Sequence, residues 1–241
     1  MASQADMVER LRPLVELHRG RRQAPVRFRP ATWRPWLEPH GAARVLGLGV
    51  DATSSSGDRL ISRDDLVAAR QALGDDPEER RDLFVAVMIW GAGMTNGRAP
   101  RYTSVALGDA RLPHVLEATR SAVRAGELTR AYTAFTVRGV RRSFFTKWFA
   151  AVDDRDAECE RALILDDRVF RSLNALGWSS REAARTRGWA TRYATYVGVM
   201  HEWADSLGVT AAWLEWLMYD LDGHVEGEEP QLGKLRAFGC G

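Results

Sequence analysis

Lysine is scarce in this chain. Of 34 basic residues only Lys147 and Lys234 are lysine, so 34 − 2 leaves 32 arginines. Lys147 stands in "RRSFFTKWFA", residues 141–150, among Phe144, Phe145 and Trp148. An amine can lose its proton and form a Schiff base, whereas a guanidinium stays protonated and cannot. Three features of the setting lower the amine's proton affinity: a positive helix end, neighbouring arginines and apolar cover. A lysine that is partly neutral near neutral pH is a nucleophile. The competing structural reading is a surface lysine retained by chance.

The elements around it explain the placement. "VRGVRRSFFTK" reads as helix, glycine turn, helix. Gly139 permits the tight backbone turn. Ser143 is the expected cap of the second helix, whose free amides and dipole suit a phosphate. Arg138, Arg141 and Arg142 add charge, and Lys147 falls one turn further in. This is the logic of a helix-hairpin-helix, spanning about 127–152, which grips a DNA backbone without reading sequence.

Helical patterns fill the rest of the chain from Ser62 onward. Ser62 caps a helix to about residue 73. Asp76, Pro77 and Glu79 form a strong start signal for "LFVAVMIW", which is apolar all round and so central. Further helices fit 112–125, 127–135, 166–176, 188–207 and 210–221. Residues 21–39, rich in Pro, Arg and Trp, read as an extended arm, and "RVLGLGVD" reads as a short strand. The expectation is an all-α fold in two parts: an N-terminal helix and arm over 1–61 packed on a helical body over 62–241.

Composition narrows the classes. Hydrophobic residues make up 45% and charged residues 27%, which is ordinary for a globular chain with a sizeable core. No apolar stretch approaches the roughly 20 residues of a membrane helix, and the first residues lack a signal-peptide block, so a cytoplasmic protein without membrane contact is expected. Cys159 and Cys240 stand apart, which supports neither a disulfide framework nor a zinc or iron–sulfur site. No metal or organic cofactor is expected. Net charge is only +2, yet residues 118–147 carry seven basic residues against Glu127, while 202–229 carry eight acidic residues and no Lys or Arg. Such a division attracts a polyanion to one face. The plainer reading of each run is a solvated helix face.

A glycine hairpin, then a lysine, then an aspartate after an apolar run resembles the 8-oxoguanine DNA glycosylases of the helix-hairpin-helix superfamily. More narrowly, "SFFTKWFAAV" followed by "ALILDDRVFRSL" is similar to the bacterial OGG-fold, 8-oxoguanine glycosylase-like proteins. The resemblance runs over 84–221 and is most specific over 139–173. It implies a bifunctional glycosylase and abasic-site lyase that removes an oxidised or modified purine such as 8-oxoguanine. Lys147 would attack C1′ of a flipped nucleotide, and Asp166, nineteen residues on, would stabilise positive charge on the sugar. A cap position before a helix suits a carboxylate. Asp167 is the adjacent alternative, but it would sit in the first turn pointing outward.

The resemblance also implies that Asn96 fills the space left by the flipped base and that Arg101 contacts the orphaned partner base. The plainer reading there is a Gly/Asn/Pro loop with solvated arginines. A cysteine stands four residues after the lysine in the eukaryotic enzymes; here that position is Ala151. Gly198 and Glu202 align with the base-reading positions of a later helix, and His201, Trp203 and Phe144 are candidates for the pocket in their stead. Tyr196, Val199, Met200 and Trp203 also fit a core stripe. The implied partner is double-stranded DNA with a flipped modified base, gripped through its backbone without sequence preference. Relatives of the bacterial group occur in antiviral-defence operons, which implies operon partner proteins. Two rivals remain: a non-catalytic helix-hairpin-helix DNA-binding module, and a small-molecule Schiff-base lyase. The latter usually needs an α/β barrel, which this pattern lacks.

Overall fold

The computed structural model describes residues 4–53, 57–72, 74, 76–93, 97–156 and 159–226. The described chain is all-α apart from one small sheet. The helices are α1 (Gln4–His18), α2 (Pro30–Leu37), α3 (Arg63–Gln71), α4 (Pro77–Gly91), α5 (Ala99–Leu107) and α6 (Leu112–Arg124). They continue with α7 (Leu128–Ala134), α8 (Arg142–Val152), α9 (Asp167–Ala175), α10 (Ser180–Ala183), α11 (Trp189–Leu207) and α12 (Ala211–Leu221). Strands β1 (Val26–Phe28), β2 (Val50–Asp51) and β3 (Arg59–Ile61) form an antiparallel sheet in the order β1-β3-β2.

Local signals set most helix starts. Ser62 and Asp65 form a reciprocal capping box on α3. Asp76 accepts from the Glu78 amide with Pro77 in the first position of α4, and Thr210 accepts from the Trp213 amide at α12. Helix α4 is buried continuously from Leu83 to Trp90 and packs against α3, α5, α6 and α8. Its apolar circumference makes it the central post of the body. Helix α1 packs on α11 and α12, and Arg10 donates to the Leu176 carbonyl at the end of α9.

The N-terminal quarter is more regular than its composition implies. Residues 21–39 are not an extended arm throughout, because they contain β1 and α2. Pro30 opens α2, where a missing amide hydrogen costs nothing, and Trp33 and Leu37 then fall on one buried face. Likewise "RVLGLGVD" is a 3-10 turn over Ala43–Gly47 followed by the two-residue β2. Gly49 sits between them at φ +75°, and a Cβ there would lie 2.0 Å from the Leu60 carbonyl oxygen, so only glycine lets β2 approach β3.

Candidate active site

The hairpin consists of α7, a turn over residues 135–141, and α8. Gly139 takes φ +85° at the turn, open to solvent. Helix α8 begins two residues earlier than its sequence suggests: Arg141 is the cap residue, Ser143 lies inside the first turn, and no side chain caps this end. The chain here is therefore held from outside. The carboxylate of Asp109 is drawn down to about 2, mainly by Arg111, and it also accepts from the backbone of Arg138. Arg138 and Arg141 are exposed. Arg142 is engaged already, bonded to Asp167 and stacked 4.0 Å over the Trp189 ring.

Lys147 lies one turn into α8 with its side chain 9% exposed. Its Nζ donates to the Ser143 carbonyl at 3.0 Å and to Asp166 Oδ2 at 3.3 Å. Phe144 covers the amine, with its ring centre 5.5 Å from Nζ. Gly91, at the end of α4, permits this crowding. A Cβ there would meet Lys147 Cδ at 2.8 Å and the Phe144 ring at 3.2 Å. Burial pushes the ammonium below its ordinary lysine value, against the opposing pull of Asp166.

Asp166 is placed by an irregular segment, residues 162–165, buried throughout. Side chains satisfy its backbone in place of a strand partner. Asp153 accepts from the Ala162 amide at 2.7 Å, Glu215 from the Ile164 amide at 2.7 Å and Thr146 Oγ1 from the Leu165 amide at 2.9 Å. The hydroxyls of Tyr193 and Tyr196 donate to the carbonyls of Leu163 and Ile164. The segment thus delivers Asp166 to α9, where Oδ1 caps the helix through the Arg168 amide at 3.1 Å and Oδ2 is left for Lys147. Asp167, in the first turn, points outward to Arg142, with its side chain 68% exposed.

A cavity of about 400 Å³ opens beside the lysine. Lys147, Ala150 and Ala151 line it along one face of α8, Arg63, Leu66, Val67 and Arg70 along α3, and Trp90 from α4. His201 and Asp205 border it from α11. A smaller recess of about 60 Å³ shares Arg63, Trp90, Lys147 and Ile164 with it and reaches Glu215. Glu215 is buried, with its other oxygen accepting from Arg63 at 3.1 Å, and burial raises its carboxyl above the usual range.

The residues singled out in the sequence part company here. Lys147 and Asp166 meet, and Phe144 lies over the amine. His201 borders the cavity and is hydrogen-bonded to the Arg161 carbonyl at 2.9 Å. Trp203 is in the core, edge-on to Trp178, away from the cavity lining, as its place in the apolar stripe of α11 allows. Gly198 and Glu202 do not line the cavity; the i, i+4 pair three residues on, His201 and Asp205, does. Arg101 is exposed on α5, a helix where the sequence reads as a loop, since Pro100 opens it. Asn96 lies outside the described residues. Neither Glu215 nor the cavity's arginines are visible as site residues in the sequence. Glu215 is the lone acid of the apolar run "AAWLEWLM", a weak signal for a paired buried carboxylate, and it stands apart from the solvated face expected for the acidic run.

A helical body in which a glycine turn delivers a covered lysine to a carboxylate and a cavity is the layout of a helix-hairpin-helix DNA glycosylase. The family model described as "Putative 8-oxoguanine DNA glycosylase OGG-like protein" matches residues 19–219, and the chain belongs to this family. No curated protein and no solved structure matches it. No helix among the described residues is long and apolar enough to cross a membrane.

Proposed function

We propose that the protein is a bifunctional DNA glycosylase and abasic-site lyase that excises an oxidised or modified purine, with Lys147 as the nucleophile and Asp166 as its electrostatic partner. One observation carries the reading: a buried amine at the wall of a cavity, lowered by its burial, stands 3.3 Å from a carboxylate. A purely structural lysine gains nothing from that desolvation.

In the proposed reaction the free amine of Lys147 attacks C1′ of the extruded nucleotide. The C1′–N9 bond breaks, and the base leaves with the electron pair and takes up a proton. Asp166 offsets the positive charge that builds on the sugar. Loss of the amine proton and opening of the sugar ring give an imine between Nζ and C1′. Removal of a C2′ proton then expels the 3′ phosphate by cleavage of the C3′–O bond, and water hydrolyses the imine to release the lysine. Arg138 and Arg141 hold the phosphates on either side without reading sequence. The antiviral-operon setting implied by the resemblance fits excision of a modified base from foreign DNA.

Borohydride reduces such an imine to a stable amine and fixes protein to DNA. A covalent adduct on abasic duplex that vanishes in Lys147→Gln supports the enzyme. Salt-sensitive binding with no adduct would instead identify a DNA-binding module.

A further inference from the structure

Glu215 stands on α12, 2% exposed, and both of its oxygens are engaged. Oε2 accepts from the Ile164 amide at 2.7 Å and Oε1 from Arg63 Nη2 on α3 at 3.1 Å. A backbone amide needs only one neutral acceptor, and one residue further on the Leu165 amide has it in the Thr146 hydroxyl. A carboxylate with its own arginine is a costly way to do the same, because desolvating two charges offsets most of their attraction. Burial raises the Glu215 carboxyl, but Arg63 and the Ile164 amide both bind its ionised form. Stability therefore gives little reason for an acid at this place, and its neighbours supply one.

Ile164 lies two residues before Asp166, and its peptide is held from both sides. Glu215 takes the amide, and the Tyr196 hydroxyl on α11 donates to the carbonyl at 3.0 Å. Tyr196 is itself fixed in the core against Phe170 and Trp178. Beyond Asp166, Ser172 on α9 donates to the Met218 carbonyl at 2.6 Å. Helix α12 thus ties down the chain on both flanks of Asp166, through Glu215 before it and Met218 after it. On the other side, the Thr146 bond to Leu165 sets the residue next to Lys147 against the residue next to Asp166. Glu215 and Arg63 also border the small recess that Lys147 lines, so the anchor lies close behind the amine.

We infer that Glu215 is a positioning residue for the reaction: with Tyr196 it clamps the Ile164 peptide, which keeps the free oxygen of Asp166 on the Lys147 amine. The inference rests on the glycosylase reading and adds to it a residue that acts through Asp166. An Asp166 oxygen displaced by about 1 Å would stabilise charge on the sugar poorly, and misplacement on that scale costs up to about a hundredfold in rate. Glutamine at this position would have the same shape, but it can serve only one of the two donors as acceptor, since its amide nitrogen turns a donor toward the other. The clamp would then loosen without a hole being opened.

The test uses the full-length chain and single-turnover borohydride trapping on an abasic duplex. Rates are taken on the high-pH plateau, where the amine is free and any influence of Glu215 on its proton drops out. Glu215→Gln should lower this rate by about tenfold to a hundredfold in the parent. Where Asp166→Asn is already present the same change should cost less than about threefold, because the carboxylate it positions is gone. A loss of fold would instead lower both backgrounds by the same factor. Tyr196→Phe keeps the ring and removes only the hydroxyl on Ile164, so it loosens the same clamp more gently. It should cost about threefold to tenfold in the parent and nothing further beside Asp166→Asn. This second cycle decides the matter where Glu215→Gln does not fold, as judged by circular dichroism and duplex binding. An unchanged rate in the folded variants, or equal losses in both backgrounds, overturns the inference and leaves the glycosylase reading standing. Absence of trapping in the unaltered protein removes the glycosylase reading itself.

Discussion

Two neighbouring aspartates meet two basic residues of the same helix under opposite conditions. Asp166 and Lys147 have side chains 17% and 9% exposed, whereas Asp167 and Arg142 have 68% and 30%. The outer pair is a surface ion pair, worth about 0–1 kcal/mol because water screens it and holding two side chains costs entropy. The inner pair lies largely out of that screening, and there burial lowers the Lys147 ammonium against the opposing pull of Asp166. One step along the chain separates an exposed ion pair between α8 and α9 from a covered one that, in the proposed reaction, tunes the nucleophile. Residue type fits too: the outer cation is an arginine, permanently charged and stacked on Trp189, and the inner one is the amine that can be neutral.

Lys147→Gln would break the inner pair at its reactive end. Trapping on abasic DNA should fall by on the order of a thousandfold or more, since the proposed imine forms on the Lys147 amine, while binding to the same duplex persists in a shift assay. Adduct formation at the parent rate would assign the chemistry to another amine.

Asp166→Asn tests the other end, with an effect of about a hundredfold to a thousandfold on the rate plateau. Its signature is a shift in pH dependence. In the proposed reaction the amine acts as the free base, so the rate should climb with pH through the Lys147 pKa. Burial lowers that pKa, while Asp166, followed by Glu215, raises it and Arg63 lowers it. Deleting the Asp166 charge leaves burial less opposed, so the rising limb should move to lower pH as the plateau drops. A limb displaced to higher pH in a single-turnover series would show that Asp166 does not act on the amine through its charge.

How far the sequence reveals this comparison depends on how local the signals are. The glycine turn and the nineteen-residue step from Lys147 to Asp166 lie within one stretch of chain, and the meeting of the two side chains is what the family resemblance implied for that step. The cavity is different. It is assembled from α3, α4, α8, α11 and the residues before and after them, so Arg63, Trp90, Arg161 and Glu215 converge only in three dimensions. Helical periodicity separates a buried stripe from its neighbour but cannot say what the neighbour faces. Tyr196, Met200 and Trp203 fill the core, while His201 and Asp205, on the adjacent stripe of α11, reach the cavity. Prolines misled in the same way twice. Pro30 lies in the stretch that read as an extended arm and Pro100 in the one that read as a loop, yet each stands at the start of a helix, where the missing amide is no loss.

The exposed arginines extend the outer side of the comparison. Arg138→Glu with Arg141→Glu should weaken binding of every duplex alike and flatten the plot of log affinity against log salt by roughly one unit for each phosphate no longer neutralised. Arg142 is better left intact in this test, because it is tied to Asp167 and Trp189 and its removal would disturb the hairpin itself. A loss confined to one sequence would mean that these side chains reach base edges rather than phosphates.

Asp167→Asn is the smallest change and the sharpest control on the distinction between the pairs. The substitution keeps an acceptor beside Arg142 and leaves the Asp166 cap untouched. Stability in a denaturant titration should change by less than about 1 kcal/mol, and the pH at which trapping rises should stay where it is, since Asp167 is solvent-screened and paired outward with Arg142. A shift of the pH limb as large as that of Asp166→Asn would mean that the outer carboxylate also governs the amine. The division into an inner, chemical pair and an outer, structural one would then fail.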